Sequence, residues 1–391
     1  MKQDKKVSRR ALLEGIAGLA TVPFLIGTLV KLAPSISKNF ISSVQTPTPT
    51  PTHTATPTPT HTATPTPTRT STITSFHPGD VMHVYRGHKN NVNGLAWSLD
   101  SRRIASGSFD GTVQLWDATT GDNLIYVFND RTKTVNDVAW SNDGNFIGFC
   151  ADNQVYVWSL KTGKLTLLPI KHTKNANALT WSPYNLQSPH QYIASASYDG
   201  TVQVCEWDGH KELGRFSFSY TNEDKAPIFT VAWSPINTYN YIAVSSFGSD
   251  ATVQMFGGTT GKITNEYRDQ DGNILSIAWA YPKSASNSSD PLIASGSTDT
   301  TVNVWGANTV FTYTYTSHTD AVRRVSWSPD DKRIASGCEN GELHVWDALT
   351  GAHMLRYQDH QRGIYALAWS PNGQMIASGG NDNLVRIWQA G

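Results

Sequence analysis

The amino-acid sequence predicts an all-β fold in which residues 80–391 form a ring of seven four-stranded antiparallel sheets. Three observations lead to this prediction. Twelve of the 13 tryptophans occupy two recurring positions, short β-favouring runs alternate with turn signals, and only 16% of the 391 residues are charged. Average soluble domains carry roughly 25% charged residues, so the low fraction favours strands that are buried on both faces.

Composition also limits the classes of function. Lys plus Arg and Asp plus Glu each total 31, so the chain lacks the excess positive charge that neutralises nucleic-acid phosphates. We therefore expect no nucleic-acid partner. Cys150, Cys205 and Cys338 are too few and too scattered for a disulfide framework or a four-ligand zinc site, and no metal or cofactor is expected.

Residues 1–40 are predicted to be a signal or anchor segment. Basic residues, among them Arg9 and Arg10, precede the largely apolar stretch 11–30, which is the order of an export signal. The run S-R-R-A-L-L at 8–13 resembles the twin-arginine signal of bacterial export. Two alternatives stay open: a signal anchor whose arginines only supply positive charge, and a chance match. The prediction is a bacterial, extracytoplasmic protein, secreted or held in the membrane by this segment only.

Residues 41–79 are predicted to be a disordered linker. Positions 46–70 contain 13 Thr and 7 Pro, with the octad T-P-T-P-T-H-T-A recurring. Such a segment cannot bury enough apolar area to offset the entropy lost on folding. The linker would hold the following domain away from the membrane.

Internal repeats dominate residues 80–391. One set of tryptophans, each after a short apolar run, comprises Trp97, Trp140, Trp181, Trp233, Trp279, Trp327 and Trp369. A second set follows 18 to 26 residues later in each copy, namely Trp116, Trp158, Cys205, Phe256, Trp305, Trp346 and Trp388. Trp207 is the one tryptophan outside both sets.

The first copy shows what one unit contains. Four β-favouring runs, 92–97, 103–108, 112–116 and 124–128, are separated by turn signals such as Asp110-Gly111. No segment after residue 80 sustains a helical pattern. Each unit is therefore predicted to be a four-stranded meander, and radial stacking of the copies would bury both faces of every sheet.

The repeats resemble the WD-repeat (WD40) β-propeller family over about 310 residues. The resemblance rests on G-H at 87–88, on I-A-S-G-S-F-D-G-T-V-Q-L-W-D at 104–117 and on I-A-S-G-G-N-D-N-L-V-R-I-W at 376–388. It implies a seven-bladed propeller of four-stranded antiparallel blades. Because residue 391 comes just after a third strand, the run 81–86 is expected to supply the last blade's fourth strand and close the ring.

The resemblance also implies buried hydrogen-bonded sets of His, Ser or Thr, Asp and Trp. Two blades would carry complete sets, which are His88, Ser106, Asp110 and Trp116, and His360, Ser378, Asp382 and Trp388. Two others are incomplete: His172, Ser195 and Asp199 with Cys205 in place of Trp, and His318, Ser336 and Trp346 with Asn340 in place of Asp. In the second, fourth and fifth blades the His position falls on Arg131, Asp224 and Gln270, and these blades are expected to be softer.

The recurrence of His, Ser and Asp favours structure over catalysis. A nucleophilic site is built once, whereas these residues return at the same repeat position in several blades. The sequence holds no G-x-S-x-G, no H-E-x-x-H and no Gly-rich phosphate loop. We predict a protein that is not an enzyme. A propeller hydrolase, the enzyme alternative, would need a unique cluster of acids in the channel mouth.

Partners of WD-repeat propellers usually contact the narrower face around the channel, through three positions in each blade. In this sequence those positions hold Asn91, Asn93, Phe109, Thr134, Asn136, Asn175, Asn177, Tyr198, Pro227, Phe229, Asn273, Leu275, Arg323, Glu339, Tyr365 and Asn381. Aromatic and Arg side chains suit a protein or peptide, and asparagines suit a glycan; a merely solvated surface is the third alternative. The prediction is an interaction scaffold for a protein or peptide.

A second candidate surface is expected on the opposite face. Three connections there are longer than in the other blades, namely 183–191, 235–241 and 281–291. Connections that vary within a repeat array often carry recognition.

Overall fold

The computed structural model describes residues 77–183, 190–222, 225–235, 240–247, 252–268, 270–280, 291–307 and 311–391. The regular elements there are 28 strands in seven four-stranded antiparallel sheets, which confirms the predicted all-β propeller. None of the described segments forms a helix with the length and apolar character needed to cross a membrane. The predicted export segment, and the linker up to residue 76, lie outside the described residues.

The strands are numbered β1 to β28 in chain order. Each blade contains a first, a second, a third and an outermost strand. The first strands are β2 (Val92–Trp97), β6 (Val135–Trp140), β10 (Ala176–Trp181), β14 (Ile228–Trp233), β18 (Ile274–Trp279), β22 (Val322–Trp327) and β26 (Ile364–Trp369). The second strands are β3 (Arg103–Ser108), β7 (Phe146–Ala151), β11 (His190–Ser197), β15 (Tyr241–Ser246), β19 (Leu292–Ser297), β23 (Arg333–Cys338) and β27 (Met375–Gly380).

The third strands are β4 (Thr112–Asp117), β8 (Gln154–Ser159), β12 (Thr201–Asp208), β16 (Val253–Gly257), β20 (Val302–Gly306), β24 (Leu343–Asp347) and β28 (Val385–Gln389). The outermost strands are β5 (Ile125–Asn129), β9 (Leu165–Leu167), β13 (Leu213–Thr221), β17 (Ile263–Tyr267), β21 (Phe311–Tyr315), β25 (His353–Tyr357) and β1 (Val81–Tyr85). The strands predicted in the first copy differ from β2 to β5 by no more than one residue at either end.

The first strands surround the axis of the ring. Each packs against the first strand of the next blade, and the series closes where β26 meets β2. The chain ends close the ring as predicted, because β1 pairs antiparallel with β28 and so completes the seventh blade. Val81 lies opposite Trp388, and Tyr85 lies opposite Val385.

The core lies between neighbouring blades. One cluster, for example, joins Val113 and Leu115 of the first blade to Val138 and Ile147 of the second. Tryptophans of the first strands add polar links, since four indole N–H groups donate to a backbone carbonyl in the preceding blade. These four links are Trp97 to Ala368, Trp181 to Ala139, Trp279 to Ala232 and Trp327 to Ala278.

The longer strands of the third blade explain why Trp207 lies outside the two recurring tryptophan positions. In the third blade Cys205 stands where five other blades have Trp, and β11 to β13 are longer than their counterparts. The extension carries Trp207 against Phe146 of the second blade, with ring centroids 5.3 Å apart. The indole is buried. The exceptional tryptophan therefore fills the same interblade space from two residues further along the strand.

Candidate partner-binding face

The two complete polar sets have matching geometry. In the first blade the Trp116 indole donates to Ser106 Oγ over 3.0 Å, and Ser106 Oγ lies 2.7 Å from His88 Nε2. His88 Nδ1 lies 3.1 Å from Asp110 Oδ2. A carboxylate only accepts, so Nδ1 carries the proton and Nε2 accepts from the serine hydroxyl. The seventh blade has the same contacts. The Trp388 indole donates to Ser378 Oγ over 2.7 Å, Ser378 Oγ lies 2.7 Å from His360 Nε2, and His360 Nδ1 lies 3.1 Å from Asp382 Oδ1.

Electrostatics hold the turn aspartate ionised. Burial alone would raise the pKa of Asp110, but hydrogen bonds from His88, Thr112 and the Lys89 backbone amide outweigh it and hold the pKa well below its ordinary value. At Asp382 burial is outweighed by His360 and by the Arg386 guanidinium, which donates to Oδ2 over 2.7 Å, and the pKa falls to about 2. Both carboxylates are therefore acceptors at neutral pH, which fixes the direction of the hydrogen-bonded chain in the first blade. In the seventh blade Arg386 Nη1 also lies 2.8 Å from His360 Nδ1.

The two incomplete sets keep the contact between His and Ser, but the third blade lacks the Trp and the sixth blade lacks the Asp. In the third blade His172 Nε2 lies 2.8 Å from Ser195 Oγ, but Cys205 gives no indole N–H to that serine. Asp199 Oδ2 stands 3.5 Å from His172 Nδ1. In the sixth blade His318 Nε2 lies 2.6 Å from Ser336 Oγ, which also accepts the Trp346 indole N–H over 3.0 Å.

The blades without His differ from one another. In the fifth blade Gln270 replaces the imidazole, because its Oε1 accepts from Ser295 over 2.8 Å and its amide nitrogen lies 3.2 Å from Thr301 Oγ1. In the second blade Phe149 occupies the Ser position and stacks on Tyr156 at 5.2 Å, so aromatic packing replaces the polar chain. Arg131 is exposed. Asp224, the residue at the His position of the fourth blade, lies outside the described residues.

Asn340 leaves the sixth blade with an unusual histidine cluster. The amide binds Thr319 instead of the imidazole, and the buried His318 Nδ1 has no hydrogen-bond partner within the described part of the chain. His344 stacks on His318 at 4.1 Å, and His353 lies edge-on to His344 at 5.1 Å. Burial, with the neighbouring histidines and Arg356, lowers the pKa of His318 to about 3. Burial and His353 lower the pKa of His344 to about 4, against the attraction of Glu342.

Acid is therefore expected to destabilise the protein. As the pH falls from about 6.5 to about 4, the unfolded chain takes up protons at His318 and His344 that the folded chain does not, which costs about 1.4 kcal/mol per pH unit for each group. Melting temperatures across this interval test the slope. His318→Gln, which copies Gln270, is expected to flatten it, whereas His210→Gln at an exposed site leaves it unchanged. Equal slopes in all three proteins would contradict the assignment.

A β-bulge recurs at the same place in every blade. Pairing of the first with the second strand slips by one residue after the first position, which leaves the second residue unpaired. The seven bulged residues are Asn93, Asn136, Asn177, Phe229, Leu275, Arg323 and Tyr365. All of them belong to the predicted contact set. A bulge redirects a side chain away from the regular pleat, so the fold sets these residues apart from the core-forming positions.

The other two predicted positions of each blade lie beside one another. The backbone N–H of the residue that follows the second strand donates to the carbonyl of the residue just before the first strand. These bonds run from Phe109 to Asn91, Asp152 to Thr134, Tyr198 to Asn175, Phe247 to Pro227, Thr298 to Asn273, Glu339 to Ala321 and Asn381 to Gly363, over 2.8 to 3.0 Å. The structure therefore brings the predicted positions together at one end of each blade, around the axis.

Three aromatic side chains of the third and fourth blades form a cluster, which we call the aromatic platform. Phe229 lies edge-on to Tyr198 at 5.2 Å and 5.4 Å from Phe247. Tyr198 is 37% and Phe247 44% exposed, so both rings are available to a partner. The sequence analysis missed Phe247, because the longer turn of this blade places it three residues before Asp250 instead of one. Counting forward from the second strand would have found it.

The sixth and seventh blades supply a polar cluster at the same end. Arg323 forms an ion pair with Glu339, and its guanidinium carbon lies 5.3 Å from the centre of the Tyr365 ring. Tyr365 donates its hydroxyl proton to Glu339 Oε1 over 3.0 Å, and the Asn381 amide reaches the Tyr365 oxygen at 3.5 Å. These contacts hold Arg323 and Tyr365 in fixed positions.

The predicted asparagines are less available than the aromatic residues. The side-chain amide of Asn136 donates to Ala176 O over 2.8 Å, and that of Asn177 donates to Ile228 O over 3.0 Å, in both cases in the next blade. Asn93 is buried. Asn91 is half-buried, and Phe109 beside it is exposed. Asn136 and Asn177 thus join neighbouring blades, and the exposed ring offered by the first blade is that of Phe109.

Below the bulged residues, two opposite charges face the axis from opposite sides of the ring. Asp137 is the third residue of β6 and Arg324 the third residue of β22, in the second and sixth blades. Burial raises the pKa of Asp137 to about 6, although the positive charge of Arg324 and the amides of Leu179 and Val138 oppose the shift. Both side chains are partly exposed, and the charges of Asp137 and Arg324 act on each other although they belong to blades on opposite sides of the ring.

Comparison with known proteins agrees with this architecture. The profile described as "WD domain, G-beta repeat" matches residues 79–117, 122–159, 164–208, 261–306, 309–347 and 351–389, which is more than half of the chain. The chain belongs to the WD40 repeat family. The profile leaves residues 209–260 unmatched, yet this interval contains β13 to β16. The fourth WD40 blade thus keeps the fold after its sequence has diverged.

Several WD40 proteins are similar at low identity. Cell division cycle 20.1, cofactor of APC complex, from Arabidopsis thaliana is 25% identical over 67% of this chain and 55% of its own length. Autophagy-related protein 16 from the same plant is 23% identical over 71% and 52%. The mouse F-box-like/WD repeat-containing protein TBL1X is 25% identical over 64% and 55%. The chain spans about half the length of the curated relatives it matches.

Proposed function

We propose that this WD40 propeller is a non-enzymatic interaction scaffold that binds a protein or peptide partner at the channel end carrying the bulged residues. One observation carries the proposal: the fold places aromatic residues and Arg323 together at that end, partly exposed and outside the core. Tyr, Trp and Arg dominate interface hot spots because each offers a large contact area with few rotamers to restrict. One similar protein is named as a cofactor of a complex, which supports a role in assembly.

A protein partner fits the surface better than a glycan. The glycan alternative depended on asparagine amides, and those of Asn136 and Asn177 already donate to backbone carbonyls of the next blade. The aromatic platform and Tyr365, in contrast, present ring faces and edges. The longer connections of the opposite face lie largely outside the described residues, and a role for them stays a prediction, as does export through Arg9 and Arg10.

Photo-crosslinking in the native cell tests which surface is used. A p-benzoylphenylalanine at position 229 is expected to give a discrete adduct, because it replaces the central ring of the platform. The same residue at position 216 is the matched control, since Phe216 is 45% exposed on the outermost strand β13. Adducts from 216 but not 229 would move the site away from the channel end.

Tyr198→Ala and Phe229→Ala are expected to weaken capture of the crosslinked partner by about 30-fold or more each, as loss of an aromatic hot spot does. Pull-down titrations of the identified partner measure this effect. Phe216→Ala serves as the control and is expected to bind normally. Unchanged capture by both platform variants, with unchanged melting temperatures, would refute the proposal.

A further inference from the structure

The channel end contains two adjacent arginines whose partners differ. Arg323 is neutralised by Glu339 and lies against the Tyr365 ring. Arg324, the next residue, donates one hydrogen bond, from Nη1 to the Arg323 carbonyl over 3.0 Å. Within the residues the structure describes, Arg324 has no ion pair within 4.0 Å. A guanidinium has five N–H donors, so most donors of the partly exposed Arg324 have no protein partner among the described residues.

The carboxylates near this opening are already engaged. Asp137 Oδ1 accepts the Val138 amide and Oδ2 accepts the Leu179 amide, each over 2.9 Å. Glu339 accepts from Arg323 and Tyr365. Among the described residues at the channel end, Arg324 is therefore a positive donor without an ion pair within 4.0 Å, although the charge of Asp137 acts on it at longer range. This asymmetry distinguishes an acidic ligand group from a basic one.

The aromatic platform and Arg324 belong to the same opening. Tyr198 lies close enough to both arginines for their positive charges to oppose the rise in its pKa that burial causes. Tyr198 in turn contacts Phe229 at 5.2 Å. A short peptide segment could therefore reach the guanidinium and the platform at once.

We propose that the opening recognises an acidic side chain, Asp or Glu, of a partner polypeptide, with Arg324 as the group that binds the carboxylate and the aromatic platform as the seat of a neighbouring apolar side chain. The inference rests on the proposed function and adds the chemistry of the partner. Arg–carboxylate pairs form two parallel charge-assisted hydrogen bonds, which makes Arg324 a specificity-determining residue. Its loss is expected to cost about 10- to 100-fold in affinity.

Selection from a phage-displayed library of random dodecapeptides on the immobilised full chain tests the inference. The wild-type protein is expected to enrich peptides with Asp or Glu at a constant spacing from an aromatic or aliphatic residue. Arg324→Gln is expected to lose the acidic preference and keep the apolar one. Arg215→Gln, at an exposed site on β13, is the matched control and is expected to keep both.

Fluorescence anisotropy with one selected peptide and its Glu→Gln or Asp→Asn counterpart then measures the coupling. Arg324→Gln is expected to lower the affinity for the acidic peptide by about 10- to 100-fold and to change the affinity for the amide peptide little. If the selected peptides required Tyr198 and Phe229 for binding but showed no preference for acidic residues, or preferred basic ones, this inference would be overturned and the proposed function would stand. Failure to enrich any peptide that depends on this face would overturn both.

Discussion

Deletion of residues 80–87 is expected to lower the melting temperature by about 10 °C or more and to cause aggregation. The deletion removes β1, which supplies the outermost strand of the seventh blade. It also removes the buried Tyr85, whose ring stacks on Trp116 of the first blade with centroids 4.1 Å apart and planes 4° from parallel. The pairing with β28 and the Tyr85–Trp116 contact between the first and last blades are lost together, which exposes the edge of β28 and leaves only the inner contacts of β2 with β26 and β27 to close the ring.

Thermal unfolding and light scattering of the full chain measure the two effects. Deletion of residues 56–63, one Thr/Pro octad of equal length, is the matched control and is expected to change neither. Tyr85→Ala removes the stacked ring but keeps the strand, so it distinguishes the contribution of the ring from that of the strand. It is expected to have a smaller effect than the deletion, because β1 can still pair with β28. A protein without residues 80–87 that is as stable and as soluble as the control would refute the closure.

The sequence predicts the architecture well because repetition multiplies weak signals. A single β-favouring run of six residues is ambiguous, but seven copies at similar spacing, each ending in an aromatic position, define strands and turns together. The fourth unit shows the strength of this evidence. Its Phe256 stands at a Trp position and the family profile misses it, yet the spacing from Trp233 identifies the blade.

The details of the site depend on geometry that residue types do not show. The sequence indicates only that Gln270 stands where other blades have His, whereas in the structure its amide both accepts and donates at that position. The packing of Phe149 on Tyr156, which replaces the polar set in the second blade, becomes visible only from the arrangement of neighbouring side chains. The recurrent bulge, which places residues such as Phe229 and Arg323, arises from strand pairing and has no consensus residue in this chain.

Asp110→Ala is expected to lower the free energy of unfolding by about 3 kcal/mol, because it leaves several buried donors without an acceptor. Asp110 Oδ2 lies 3.1 Å from His88 Nδ1 and accepts the Lys89 amide over 2.8 Å. Asp110 Oδ1 accepts the amide of Thr112 over 3.0 Å and its hydroxyl over 2.6 Å. Neither a smaller side chain nor water in this part-buried turn restores all four bonds.

Asp110→Asn separates the two roles of the carboxylate, since the sixth blade already contains this arrangement. There Asn340 Oδ1 accepts the Glu342 amide over 3.0 Å and so keeps the turn, but His318 has no carboxylate partner. The Asn variant is therefore expected to lose about half as much free energy of unfolding as the Ala variant. Asp122→Ala, at an exposed site, is expected to lose less than about 0.5 kcal/mol. Denaturant unfolding gives all three values. If Asp110→Ala matched Asp122→Ala, the polar set of the first blade would contribute nothing to stability; if Asn and Ala were equally damaging, the imidazole–carboxylate bond would carry the whole effect and the turn none.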